Sequence, residues 1–292
     1  YDSYNTQPAL REVTDAQRTL LSIARTDSKV TLTQYPGTPC EAVFTLTLSQ
    51  GLLTGIRLST GESWALEYEV VDGVTYMIAV DSPLGAREII GYREVGHRLL
   101  PNAPLDAIRS VNVYTVYPKQ GQPPVVTTYE FSDANFLGFG SGVDGGDEGD
   151  VLYRIAGAYQ YSSTECLMDG SKVHSSTVRT YNKFHLLVSE VTTSGNFRGL
   201  SEIDYHLVEG KAFSEQPAQL RLPKTQTLTY HNLTTKQTRE AVTHTAYDEA
   251  GNLLSKVEPN GITTVSTFYP AEGAEGCPAD PLGFVRFERL RT

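Results

Sequence analysis

Between Val242 and Tyr269 the sequence turns back on itself twice within 28 residues, and this stretch constrains the fold more than any other. Val242 to Tyr247 alternates as a half-buried strand does, and Asp248-Glu249-Ala250-Gly251 then supplies a turn with glycine available for positive φ. Asn252 to Val257 returns, and Pro259-Asn260-Gly261 reverses the chain again. Ile262 to Tyr269 forms a third strand, with Ile262, Thr264, Ser266 and Phe268 on one face. Connections this short join only antiparallel neighbours, so the stretch is a meander.

The rest of the chain agrees with this pattern. It contains 32 Thr and 17 Tyr, residue types that suit a pleated, half-buried surface. Ala42 to Leu48 and Val111 to Tyr117 alternate, and Val125 to Phe131 follows the tandem prolines Pro123 and Pro124. One helix is expected, near residues 15–25. Thr14 and Gln17 form a Thr-x-x-Gln capping box around Asp15, and Leu20, Leu21 and Ala24 follow at helical spacing. The predicted fold class is therefore mainly β, an antiparallel β-hairpin array with one short N-terminal helix.

Three regions are expected along the chain. Residues 1–137 form a β-rich region, 138–150 a Gly- and Asp-rich loop unable to pack a core, and 151–292 a hairpin region. In the last region Tyr161, Tyr181, Tyr205, Tyr230, Tyr247 and Tyr269 recur at separations of 20, 24, 25, 17 and 22 residues. Such a spacing suits one hairpin of two strands with its turns.

Composition excludes several function classes. With 24 Lys and Arg against 34 Asp and Glu, the formal charge of −10 offers neither the clustered cations of a nucleic-acid footprint nor a polybasic membrane site. No apolar run approaches the roughly 20 residues of a membrane helix. Cys40, Cys166 and Cys277 lie far apart, which encodes neither a disulfide scaffold nor a zinc ribbon. Both ends, Tyr1 without a signal segment and Thr292 without a tapering tail, read as cuts inside a longer polypeptide.

Tyr247-Asp248-x-x-Gly251-Asn252-Leu253, followed by Pro259-Asn260-Gly261, Thr264 and Tyr269, closely resembles one YD repeat of the bacterial Rhs/YD-repeat family. Two further stretches are similar to non-repeat parts of the same large proteins, which are related to the shell-forming components of bacterial insecticidal toxin complexes. They are Thr128 to Asp133 continuing through Asn135 to Gly138, and Cys277-Pro278-Ala279-Asp280-Pro281-Leu282-Gly283-Phe284. Residues 1–120 carry no comparable match.

The resemblance implies a hollow shell of wound β-hairpins enclosing a toxic C-terminal segment or unfolded cargo. Asp248, Gly251, Asn260 and Gly261 would be structural turn residues, and Tyr247 and Tyr269 would stack between adjacent turns. The implied partners are the remainder of the same polypeptide and a toxic segment or translocation component. The implied location is secreted or at the bacterial cell surface, as part of a larger chain. The sequence also departs from the family pattern. Tyr181-Asn182 and Tyr230-His231 are degenerate copies of the repeat. Asp280-Pro281-Leu282-Gly283 lacks the continuation of the family's self-cleaving core, so proteolysis is not assigned. The expectation is a wall segment with neither plug nor payload.

Candidate chemistry is sparse. Gly140-x-Gly142-x-x-Gly145 matches a dinucleotide fingerprint in form, but acidic residues follow where a helix is required. Asp144, Asp147, Glu148 and Asp150 could supply oxygens to calcium, although the spacing misses the known loop patterns. Ser141 has no nucleophile elbow around it. His97, His174, His185, His206, His231 and His244 show no metal-ligand spacing and read as strand or surface residues. Glu67 and Glu69 share a strand face, and paired carboxylates serve glycosidases, but same-face acids are commonplace on strands. Trp64 reads as a strand residue facing the core rather than a sugar platform. No catalytic, cofactor or metal residue is assigned. The function expected is a non-enzymatic shell segment, with a carbohydrate-binding β domain as the alternative.

Overall fold

The fold is known from a computed structural model that describes residues 2–4, 7–101, 103–119, 121–144 and 149–292. Those residues are mainly β, with three short 3-10 turns at Val151–Arg154, Phe213–Glu215 and Ala218–Arg221. No helix among them is long and apolar enough to cross a membrane. The chain divides into two units, one of Tyr1–Gly91 with Val113–Val126, the other of Tyr92–Asn112 with Thr127–Thr292.

In the first unit the short pair β1 (Asp2–Tyr4) and β2 (Gln7–Ala9) precedes a meander. The meander runs β3 (Glu12–Thr14), β4 (Thr19–Thr26), β5 (Lys29–Gln34), β6 (Ala42–Ser49), β7 (Leu52–Leu58), β8 (Ser63–Val71) and β9 (Val74–Asp81). Each strand pairs antiparallel with the next, and β9 pairs with the start of β10 (Arg87–Arg98). β10, β11 (Ala107–Tyr117) and β12 (Val125–Phe131) contribute residues to both units.

The second unit continues in the same way. It contains β13 (Gln160–Asp169), β14 (Lys172–Asn182), β15 (Leu187–Ser194), β16 (Phe197–Tyr205), β17 (Pro223–Asn232), β18 (Thr238–Tyr247), β19 (Leu253–Val257), β20 (Thr263–Phe268) and β21 (Glu288–Arg291). These too pair in chain order.

The helix expected near residues 15–25 is absent. Asp15 does accept the N–H groups of Gln17 and Arg18, each at 2.8 Å, which is the local bonding of a helix cap. These bonds hold the Asp15 carboxyl below its ordinary pKa. Here they close a hairpin, since β4 starts at Thr19 and pairs Leu21 with both Val13 and Gln34. Thr19, Ile23 and Thr26 are β-branched, and cross-strand pairing outweighs a helical spacing carried by three residues.

The meander expected between Val242 and Tyr269 is present as β18, β19 and β20. In its first turn Asp248 N–H donates to Asn252 O at 3.0 Å and Gly251 N–H to Asp248 O at 3.1 Å, a type I turn closed by a bulge glycine. Asp248 Oδ1 accepts Asn252 N–H at 2.8 Å, and Asn252 Nδ2 reaches Val285 O at 2.6 Å. The second turn repeats the backbone pattern from Glu258 to Ile262, with Asn260 Oδ1 accepting Ile262 N–H.

The Asp248 turn recurs elsewhere. At Asn182 the backbone bonds to Leu186 O and from His185 N–H are the same, and Asn182 Oδ1 accepts from Phe184 and Leu186. Ser82 does likewise with Gly85 and Ala86 in the first unit. The turns at Asn135 and Asp280 keep the side-chain acceptor and the fourth-residue glycine without a hairpin. Several of the recurring tyrosines mark an accompanying irregularity, because pairing slips by one residue at Tyr181, Tyr205 and Tyr247.

Burial is sparse in both units. The buried apolar side chains among the described residues are Ile23 and Ala79 in the first unit, and Leu152, Ile155, Tyr159, Phe184 and Leu220 in the second. The chain exposes 18829 Å2, against about 12,000 Å2 for a compact fold of its mass. Lateral ion pairs tie strands together on the half-exposed faces. Arg87 bridges Glu67 and Asp81 in the first unit, and Arg179 bridges Glu165 and Glu190 in the second.

Gly251 sits at φ +86° and a Cβ there would meet only Leu222 Cδ1 at 3.8 Å, so Gly251→Ala isolates the backbone cost. Urea unfolding is expected to show a loss of about 1–2 kcal/mol, the penalty of a left-handed non-glycine residue.

Candidate functional site

The second unit concentrates its burial away from the strand ladder, where the irregular segment after β12 packs against β13 and the Asn182 turn. Leu152, Ile155 and Tyr159 form the cluster, with Ala134, Val143 and Tyr161 against it. The Tyr159 hydroxyl accepts Asn135 N–H at 2.9 Å and lies within donating distance of Asn135 O and Phe139 O. Asn135, itself buried, donates Nδ2 to Arg98 O at 2.8 Å. Lys183 Nζ donates to Ile155 O at 2.6 Å, and Tyr153 stacks on Phe213 at 4.0 Å. The segment is thus strapped to the sheet by polar ties around a small apolar centre.

One tie has the arrangement of a catalytic relay. Asp150 Oδ2 lies 2.6 Å from His185 Nε2, and His185 Nδ1 lies 2.8 Å from the Tyr161 hydroxyl. A carboxylate only accepts, so Nε2 carries the proton of the Asp150 bond, and in the tautomer that leaves Nδ1 bare this nitrogen accepts from the phenol. Asp150 Oδ1 meanwhile caps the 3-10 turn through Leu152 N–H at 2.9 Å. Burial pushes the Tyr161 phenol up to about 12, helped by the nearby Tyr181 and Asp150. Its ring stacks on Tyr181 at 5.2 Å. A phenol held so firmly in its neutral form is a poor nucleophile, and the relay acts as a clamp joining the strap, β13 and the Asn182 turn.

His185 is the residue that sequence reasoning missed. It occupies φ +59° at the turn position where Gly251 stands in the Asp248 turn. A left-handed histidine costs about 1–2 kcal/mol against glycine. It is retained with hydrogen bonds to both ring nitrogens, each worth on the order of 1 kcal/mol or more where the partner is charged. The signal was present in Tyr181-Asn182-Lys183-Phe184-His185, where an imidazole replaces the turn glycine.

Beside the clamp lies a depression of about 340 Å3, lined by His97, Phe131, Ser132, Asn135, Phe136 and Tyr161 among others. The His97 ring meets Phe131 and Phe136 edge-on at 4.6 and 5.0 Å, and burial lowers its pKa.

The other sequence candidates are dispersed. Glu67 is held bidentate by Arg87 at 2.7 and 3.0 Å, and its pKa is lowered, the opposite of what a general acid needs. Trp64 is half-buried on β8 opposite Ile56. Gly140, Ser141 and Gly142 lie in turns, whereas Gly145, Asp147 and Glu148 fall outside the described residues. No group of acidic, His or Cys side chains suited to a metal occurs among the described residues. Tyr247 meets His206 edge-on at 6.1 Å, and the Arg289 guanidinium lies 6.0 Å from the centre of the Tyr269 ring. Tyr230-His231 precedes a longer turn in which Asn232 Oδ1 accepts from Thr234 and Thr235. Asp280, despite its burial, is held below its ordinary pKa by the N–H groups of Leu282 and Phe284 and by Arg286. Its carboxylate is committed to its own turn.

No protein-family model matches the chain, and no curated protein matches its sequence.

His185→Gly separates turn from clamp. It relaxes the left-handed backbone but removes both bonds, and urea unfolding is expected to show a net loss of about 1 kcal/mol. A gain in stability would mean that the clamp contributes less than the backbone strain it offsets. Because Tyr161 binds its proton more tightly folded than unfolded, its contribution is complete below pH 10.0 and is lost as the pH rises toward about 12. Tyr161→Phe is expected to flatten the stability profile across that window.

Proposed function

We propose that the chain is a non-enzymatic structural segment of an Rhs-like, toxin-associated protein, contributing β-hairpins to the wall of an encapsulating shell. The observation that carries this reading is the sparse burial on both faces of the strands. A chain exposing 18829 Å2, with few apolar side chains fully buried among the described residues, has strand faces that await neighbours. The turn at Asp248 supports it, because the same hydrogen bonds recur at Asn182 where the sequence resemblance to the repeat had nearly faded.

In this reading Tyr247, Asp248, Gly251, Asn252, Leu253, Pro259, Asn260, Gly261 and Tyr269 are structural residues that set turn geometry and strand register. The partners are the remainder of the same polypeptide and a toxic segment or translocation component. The location is outside the bacterial cytoplasm, secreted or at the cell surface. A carbohydrate-binding role has less support. The polar groups of Asn135, Ser132 and Tyr161 are already bonded within the protein, and a sugar would need several such groups unengaged.

Small-angle scattering combined with a hydrophobic dye tests the proposal. A compact fold of this length has a radius of gyration of about 19 Å. A wall segment is expected to give a clearly larger value at monodispersity, with dye bound by the folded chain. A radius near 19 Å without dye binding overturns the reading.

A further inference from the structure

We propose that the depression beside the clamp binds a small, neutral aromatic molecule carrying one hydrogen-bonding group. The inference stands independently of the shell reading, since it depends on the chemistry of one cavity within the second unit. The volume, about 340 Å3, lies at the lower end of the range for small-molecule sites.

Charge is the first selector. No Lys, Arg, Asp or Glu lines the cavity, and Asp150, the carboxylate bound to the lining residue His185, is engaged by that ring and by the Leu152 N–H. Burial lowers the pKa of His97, so at neutral pH its ring is uncharged. A charged ligand would lose its hydration there without gaining a counter-ion.

The polar inventory is the second. Asn135 spends its amide on Arg98 O and on the N–H groups of Leu137 and Phe139. The Ser132 hydroxyl accepts Ser162 N–H and lies 2.6 Å from Ala134 O. Tyr161 and both nitrogens of His185 belong to the clamp. The His97 ring has aromatic neighbours but no hydrogen-bond partner among the described residues, and a neutral imidazole can donate one bond and accept another. His97 is thus the polar ring set among the aromatic walls, with the Ser162, Ser163 and Tyr181 hydroxyls in the same lining, and an aromatic guest carrying one hydrogen-bonding group, a phenol or an indole, suits it.

The walls are the third. Phe131 and Phe136 are 37% and 41% exposed, high for phenylalanine, and they flank His97 rather than filling the cavity themselves. Tyr161 and Tyr181 stack on each other and complete the aromatic lining. An aromatic guest gains ring contacts with these side chains beyond simple area burial.

Indole and indene, alike in shape but differing in the ring N–H, are the probes, titrated calorimetrically into the whole chain. Saturable binding of indole, tighter than that of indene, is expected. Phe136→Ala should weaken indole about tenfold, and His97→Phe should abolish the preference for indole over indene. Ser163→Phe, which projects a ring into the cavity from β13, should prevent binding, and the far-UV spectrum of each variant checks that it is folded. Absence of saturable indole binding overturns the proposal, as does binding that all three folded variants retain. Tighter binding of tetramethylammonium or methyl glucoside than of indole at the same site overturns the ligand class.

Discussion

A side-chain oxygen that accepts a turn N–H recurs at several of the places where this chain changes direction. Ser82, Asn182 and Asp248 each hold the first position of a tight hairpin, receive the N–H four residues on, and leave the fourth position to a left-handed residue. Three hairpins are closed by this device. With little apolar surface buried between layers, strand register rests on turn geometry and on the slips beside Tyr181 and Tyr247 rather than on an oily face seeking cover.

The same device explains the clamp. At the fourth position of a turn that elsewhere holds glycine, His185 offsets its left-handed backbone with an imidazole held from two sides. Strain in the backbone and bonding at the ring are then parts of one arrangement, since removing either partner leaves the turn strained without its compensation. The strap above β13, the apolar cluster under it and the aromatic depression beside it all meet at this one side chain.

Much of the fold was legible because its determinants are local. The turns at Asp248 and Pro259 are written in consecutive residues, whereas the tyrosine spacing does not count hairpins: Tyr161 and Tyr181 lie on adjacent strands, Tyr181 and Tyr205 two strands apart. The N-terminal segment misled because Asp15 bonds to the next N–H groups in the same way at a helix start and in a hairpin turn; only the partners of Leu21 across the sheet decide between them. The clamp was illegible for another reason. Asp150 and His185 are 35 residues apart, and Asn135 and Arg98 are 37 apart. No periodicity relates such positions, and the Gly-rich run of 138–150 gives no sign that a packed cluster follows directly after it.

The lateral ion pairs have a mechanical side. Arg179 on β14 grips Glu165 on β13 and Glu190 on β15, and Arg87 on β10 does the same for Glu67 on β8 and Asp81 on β9. Each guanidinium rivets three strands at one level, so a strand pulled lengthwise must stretch two charged contacts before its ladder can slide. With so few side chains fully buried among the described residues, such crosswise contacts oppose shear where a packed core would otherwise do so.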